Sequence, residues 1–180
     1  GVRKITSVMH KLGPWHGRQI HVNGQKIYCR GGYIQPELML DWSDNRIRKE
    51  LNYYADENMN LIYFEDIPNP PDAFLDECDR LGVLFGNVFY ASNWVNEGNN
   101  YPDDFNLLET CTIDLLKRYR NHPSMIMYMA QNEFSPREQA YVMWRKYVKE
   151  LDGTRFWIPS GFFPDSKTDV PEWFKEDLPT

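Results

Sequence analysis

The stretch that most constrains what this chain can fold into runs from Asn121 to Glu133. Its centre, Met125 to Ala130, is an unbroken apolar run bounded by a Pro-Ser turn and by polar residues. A run of that length without polar alternation predicts a strand buried on both faces. Such strands belong to parallel sheets covered by helices. This one ends on Gln131, Asn132 and Glu133, and in parallel α/β folds chemistry sits at the C-terminal ends of strands. A carboxylate there, beside an amide, is a candidate general acid or base with a hydroxyl-binding neighbour. The competing interpretation makes Glu133 the first polar residue of an ordinary loop.

The rest of the chain supplies more units of the same kind. Gly1 to Val8 alternates loosely and predicts a terminal strand, and Lys11 to Arg18, with two Gly and a Pro, predicts a loop. Asn23-Gly24 predicts a hairpin turn, because both residues tolerate positive φ. Ile27 to Tyr33 follows as a first sheet strand, with Gly31-Gly32 near its end permitting close backbone approach. Ser43 is placed to cap a helix whose buried face is Ile47, Leu51, Tyr54 and Ala55. Leu61 to Phe64 is a second strand leading into Glu65 and Asp66. Pro71 suits the first turn of a helix with Phe74, Leu75, Cys78 and Leu81 inward, closed by Gly82. Val83 to Tyr90 is a third strand. A long loop from Ala91 to Pro102 carries Trp94 and Tyr101, and loops of that length are commonly functional. Asp103 and Asp104 suit the start of a helix with Phe105, Leu108, Cys111, Leu115 and Tyr119 inward. After the central strand, Ser135-Pro136-Arg137-Glu138 forms a capping box with Pro at the first helical position. Tyr141, Trp144, Val148 and Leu151 give that helix its stripe. Asp152-Gly153 ends it, and Phe156 to Pro159 is a fifth strand. Residues 161–180 predict loop, with one turn near Trp173.

Strands alternating with helices at spacings of roughly 30 residues mean βαβ units with right-handed crossovers. Two architectures fit: an open doubly wound sheet, or part of a (β/α)8 TIM barrel. No glycine-rich phosphate fingerprint follows any strand, so the nucleotide-binding version lacks its signature. Eight strands close a barrel and five do not. The expectation is therefore the first five strands and four helices of a barrel, within a longer protein. The net charge of −6 gives no electrostatic footprint for nucleic acid or an anionic membrane. No apolar run approaches the roughly 18 residues needed to span a bilayer. The three cysteines, Cys29, Cys78 and Cys111, show no metal spacing and predict buried free thiols. The four histidines form no ligand-spaced pair, so neither a metal nor another cofactor is expected. Aromatic residues make up 15% of the chain, which suits a large core or a carbohydrate-binding face.

Several segments together resemble glycoside hydrolase family 2, the β-galactosidase, β-mannosidase and exo-β-glucosaminidase group. Gly1-Val2-Arg3-Lys4-Ile5 is similar to the family's Gly-Ile/Phe-Arg signature, which ends an immunoglobulin-like domain before the barrel. Residues 22–32 resemble its Asn-Gly-Lys…Arg-Gly approach to the first barrel strand. Residues 74–84 resemble its Cys-Asp-Glu-Leu-Gly-Ile-Leu segment. Asn121-His122-Pro123-Ser124 with Gln131-Asn132-Glu133 resembles its Asn-His-Pro-Ser…Gly-Asn-Glu acid/base motif. The resemblance covers almost the whole chain in order and spacing. It implies a boundary, with residues 1–19 ending a β-sandwich domain and residues 20–180 opening the barrel domain. It also implies retaining hydrolysis of terminal β-linked sugars such as β-mannosides, β-glucosaminides or β-galactosides, through two carboxylates. Glu133 would be the general acid/base, and Asn132 would hydrogen-bond the sugar 2-substituent. The nucleophile, a second Glu on a later strand, would lie outside this chain, leaving the chain alone inactive. Gln131, Tyr33, Glu65 and Trp94 would contact substrate, with Gln35, Tyr90 and Asn93 nearby. For each of these, loop packing or a helix cap is the competing role. Export to the periplasm or the exterior is the compartment that family analogy implies.

Three departures stand against the family pattern. Ile62 is read at the place of an Arg in the second strand, Phe85-Gly86-Asn87 at the place of Trp-Gln-Asp in the third, and Gln131 at the place of a Gly. The first two motivate an alternative, a degenerate barrel that binds carbohydrate without cleaving it. An oxidoreductase on a complete open sheet is a further alternative. The implied partners are a β-linked glycoside and the rest of the parent polypeptide. Unpaired strand edges also predict self-association of the isolated chain.

Overall fold

The computed structural model describes residues 3–13, 15–34, 42–64, 69–89, 104–131 and 136–160. Two sheets form. The first is antiparallel, built from β1 (Ile5–Leu12), β2 (Trp15–Val22) and β3 (Gln25–Lys26) in that order. Asn23 and Gly24 join β2 to β3 with φ of 51° and 80°, the positive values expected of the Asn-Gly pair. β1 and β2 pair along their whole length, Ile5 opposite Val22 and Leu12 opposite Trp15. The loop expected over Lys11 to Arg18 is therefore strand on both sides of a tight turn, which Gly13 enters at φ 64°. Gly13 marks that turn, and Gly17 is an ordinary strand residue.

The second sheet contains β4 (Gly31–Ile34), β5 (Leu61–Phe64), β6 (Leu84–Val88), β7 (Met125–Met129) and β8 (Phe156–Ile158). Its order is β4-β5-β6-β7-β8 and every neighbouring pair is parallel. Between successive strands lie α1 (Asp44–Asp56), α2 (Asp72–Leu81), α3 (Phe105–Tyr119) and α4 (Glu138–Leu151). Spatial order repeats chain order without the reversal that defines a doubly wound sheet. The architecture is a segment of a (β/α) barrel. Gly31 and Gly32 open β4 rather than close it. The reason is tertiary: Tyr54 Oη donates to Leu61 O at 2.5 Å and accepts from Gly32 N at 3.1 Å, directly where a side chain on Gly31 would stand.

The helices start and stop where side-chain chemistry dictates. Ser43 Oγ accepts from Arg46 N, and Asp104 caps α3 by accepting from Leu107 N. Gly82 closes α2 in the left-handed conformation at φ 75°. α4 begins later than its capping box suggests. Arg137 stays extended at ψ 132°, without a side-chain cap, and the first helical residue is Glu138, so Pro136 precedes the helix. The Arg137 guanidinium lies over the Phe105 ring, 5.2 Å from its centroid. On α3, Thr112 rather than Cys111 faces the core, where it accepts a hydrogen bond from Trp144 Nε1 at 3.1 Å.

The two faces of the parallel sheet carry separate clusters. Ile62, Phe64, Phe85, Phe89, Met125 and Tyr128 pack against the helices with Ile47, Leu75, Leu116 and Trp144. Phe89 stacks on Trp144, with centroids 5.1 Å apart and planes at 6°. Each such aliphatic or aromatic side chain removed from water stabilises the fold by about 1.5–3 kcal/mol. On the other face, Leu84, Ile126 and Met127 meet Leu61, Tyr63, Phe156 and Ile158, together with Ile5, Ile20, Val22 and Ile27 of the N-terminal segment. That face is the barrel interior. The antiparallel sheet packs beneath it, with Arg18 over the Phe156 ring at 5.5 Å.

Candidate active site

The C-terminal ends of β4 to β8 define where a site of this fold is built. The register fixes which side chains share a level there. Tyr33, Tyr63, Gly86, Met127 and Phe156 are successive partners across the sheet and form one interior layer. Val88, Met129 and Ile158 lie two residues further along, on the same face. Tyr33 is 53% exposed, and its ring centroid lies 5.9 Å from that of Tyr63 at 47°. Tyr63 was not singled out from sequence, although the alternation of Leu61-Ile62-Tyr63-Phe64 contains the information once either face is known. Met127 fills the space left by Gly86. Among the described residues this interior wall carries no formal charge.

The alternation of faces corrects two expectations. Ile62 is fully buried among helix-facing side chains, so the interior position on β5 belongs to Tyr63. Asn87 pairs in register with Phe64 and Tyr128, both helix-facing, and is only 1% exposed. Its Nδ2 donates to Val88 O at 2.9 Å, and its Oδ1 has no hydrogen-bond partner among the described residues. Neither side chain lines the interior.

β7 contains an irregularity that sequence periodicity does not reveal. Phe85 pairs with Met125 and Gly86 with Met127, so Ile126 is an extra residue. The bulge puts Ile126 and Met127 on the same, interior face. Tyr128 then returns to the helices and Met129 to the interior. Ala130 N donates to Ile158 O at 2.9 Å, and Gln131 follows, 8% exposed. Of the anticipated site residues, Tyr33 and Gln131 are described. Asn132, Glu133, Glu65 and Trp94 lie outside the described residues, as do Gln35, Asp66, Tyr90, Asn93, Tyr101 and Ser135.

At the opposite end of β7 a polar cluster forms that sequence spacing did not indicate. His122 Nδ1 lies 2.8 Å from an Asp79 carboxylate oxygen, and Asp79 Oδ1 accepts from Ser124 N at 2.7 Å. Asp76 stands 3.9 Å from the same imidazole nitrogen, and the three residues offer ligand atoms within 4.8 Å of one another. Both Asp79 oxygens are already committed to the turn. Surface grooves also lie between α3 and α4 and on the N-terminal hairpin. Among the described residues no helix is long and apolar enough to cross a membrane.

Comparison with known proteins agrees with this architecture. Residues 16–158 match the family model for the glycosyl hydrolases family 2 TIM barrel domain. The exo-beta-D-glucosaminidase of Amycolatopsis orientalis is 29% identical over 153 residues, covering 79% of this chain and 14% of that protein. The mannosylglycoprotein endo-beta-mannosidase of Lilium longiflorum is 30% identical over 147 residues, covering 77% of this chain and 15% of that protein. The crystal structure of the Amycolatopsis orientalis exo-chitosanase superposes with a TM-score of 0.76 at 28% identity, over 89% of this chain and 19% of that one. The chain thus spans about a seventh of the length of those two curated relatives. An interior walled by consecutive parallel strands and a match running from β2 to β8 lead to one conclusion: this chain belongs to glycoside hydrolase family 2 and forms part of its TIM barrel domain.

Proposed function

We propose that this chain contributes the acid/base half of a retaining β-glycosidase site. In this reading Glu133 protonates the glycosidic oxygen and later deprotonates the attacking water, while Asn132 binds the sugar 2-substituent. Doing both requires a carboxyl pKa raised towards neutrality, which a water-poor pocket supplies. Gln131, Tyr33, Glu65 and Trp94 contact the sugar, and a tyrosine face suits the C–H side of a pyranose. The nucleophile, about 5 to 5.5 Å from the first carboxylate, comes from a part of the parent polypeptide outside this chain. The proposed boundary, with residues 1–19 ending a β-sandwich and residues 20–180 opening the barrel, falls within β2, whose hairpin with β1 packs against the barrel interior. Substrates are β-mannosides, β-glucosaminides or β-galactosides.

The observation that carries the reading is the strand end itself. β7 is the buried fourth strand of a family 2 barrel segment, and Asn132-Glu133 follows directly on Gln131 at its C-terminal end. The test is hydrolysis of nitrophenyl β-glycosides by the full-length parent beside its Glu133→Gln variant. Activity on one sugar, lost in the variant and restored by azide for an activated leaving group, supports the assignment and names the substrate. A folded parent without activity on any sugar refutes it and leaves a carbohydrate-binding barrel. Among the described residues β4 and β8 are the edge strands of the parallel sheet, which adds one expectation, self-association of the isolated chain, checked by sedimentation at rising concentration.

A further inference from the structure

β7 presents a register problem. All of its residues are buried and apolar, so a slip by one would exchange one apolar face for another. Where one face is polar, the hydrophobic pattern prevents such slips; here it cannot. The bulge at Ile126 shows that an irregular register is the one adopted.

The α4–β8 loop supplies what the pattern lacks. Arg155 uses all five of its N–H groups. Nε donates to Met125 O at 3.1 Å, and Nη2 donates to Arg120 O at 2.9 Å and His122 O at 3.0 Å. Nη1 donates to Asp152 Oδ1 at 3.0 Å and Thr154 Oγ1 at 2.6 Å. The Asp152 carboxylate, 1% exposed, accepts from Tyr128 Oη at 3.0 Å through its other oxygen. One loop therefore grips the turn before β7, the first residue of β7 and a side chain midway along it. Asp79 of α2 holds the same turn through His122 and Ser124, but it does not reach the strand.

We propose that Arg155 is a positioning residue of this domain: it locks the bulged register of β7 and thereby sets where that strand delivers Gln131. The inference rests on the proposed function for its catalytic consequence, but its structural half stands alone. A lysine keeps the charge beside Asp152 and cannot serve three carbonyls from a planar fork.

The experiment compares full-length parent protein with its Arg155→Lys and Arg155→Ala variants. Amide hydrogen exchange is read by mass spectrometry, and steady-state kinetics on the preferred nitrophenyl glycoside are measured in parallel. Expected for Arg155→Lys is faster exchange confined to residues 120–131, with β5 and β6 unchanged. Its kcat should fall roughly 10- to 100-fold with KM within about threefold, as displacement of a reacting group by about 1 Å would cause. Exchange that is unchanged, or that rises equally in every strand, overturns the proposal, as does an unaltered kcat beside localised exchange. If Arg155→Ala fails to fold, the lysine variant carries the test. If the wild-type parent hydrolyses nothing, localised exchange still upholds the positioning role, while the glycosidase reading falls separately.

Discussion

Gly86 and Met127 form a pair whose energetics can be worked out from the interior layer. A Cβ added at Gly86 would stand 2.3 Å from Met127 Cε, 2.7 Å from Cγ and 3.2 Å from Sδ. Carbon atoms rest at about 3.5–4.0 Å, so the thioether must move by more than roughly 1 Å. Met127 is 7% exposed and has little free volume to enter. Overpacking of this kind costs about 1–3 kcal/mol. Replacing a strand glycine by alanine returns about 0.5–1 kcal/mol of backbone entropy. Gly86→Ala should therefore destabilise by about 0–2.5 kcal/mol. Met127→Ala alone should cost about 2–5 kcal/mol through lost burial and the cavity left behind. In the double variant the new methyl group enters the vacated space, so the combined loss should fall short of the sum by about 1–3 kcal/mol. Urea unfolding followed by tryptophan fluorescence measures all four corners of the cycle. Additivity to within about 0.5 kcal/mol would refute the argument, because it would mean that the two side-chain positions do not compete for one volume.

Three further outcomes are expected. Gly31→Ala should weaken the β4–β5 pairing by more than about 3 kcal/mol, since its Cβ would meet Leu61 O at 1.7 Å, whereas Gly32→Ala, with nothing within 4 Å, should stay within about 0.5 kcal/mol; thermal melts compare them. Hydrogen bonds from Arg80, at 2.6 and 2.8 Å, hold the Glu77 carboxyl below its usual value. A lowered carboxylate contributes stability that is present above its unfolded pKa and is lost as pH falls through the folded one, so Glu77→Gln should flatten the acid limb of a stability–pH profile without altering its alkaline limb. Burial pushes the Cys78 thiol far above its ordinary value and raises that of Cys29 as well, so a thiol reagent should reach the half-buried Cys111 first in the native protein and Cys78 only in denaturant.

Local chemistry was legible in the sequence wherever it acted over a few residues. Leu61 to Phe64 is the observed β5, Ser43 and Asp104 cap as their side chains dictate, and Asn23-Gly24 turns the chain as expected. The consecutive strand order followed from the helices between strands. What escaped was set by partners distant in sequence. Gly31 begins a strand because Tyr54 and Leu61 approach it, and neither contact leaves a trace in its neighbours. The bulge in β7 is invisible because apolar residues occupy both phases of the alternation. Ile62 and Asn87 looked like substitutions in a site because composition does not say which face a strand residue takes. The His122–Asp79 and Arg155 networks join segments 24 to 45 residues apart. The candidate catalytic pair itself, Asn132-Glu133, was readable only through motif and position at a strand end.

The sheet also has a history implied by its order. Each strand pairs with the one synthesised before it: Tyr33 meets Tyr63, Tyr63 meets Gly86, Gly86 meets Met127, and Met127 meets Phe156. A nascent chain emerging at about 5–20 residues per second presents these partners one at a time, and closing such short loops is entropically cheap. Arg155 arrives 30 residues after Met125, whose carbonyl it holds. If these bonds form after the folding transition state, Arg155→Lys should speed unfolding and leave the refolding rate nearly unchanged, which stopped-flow chevrons would register. The guanidinium fork thus acts as the closing check on a strand laid down before it.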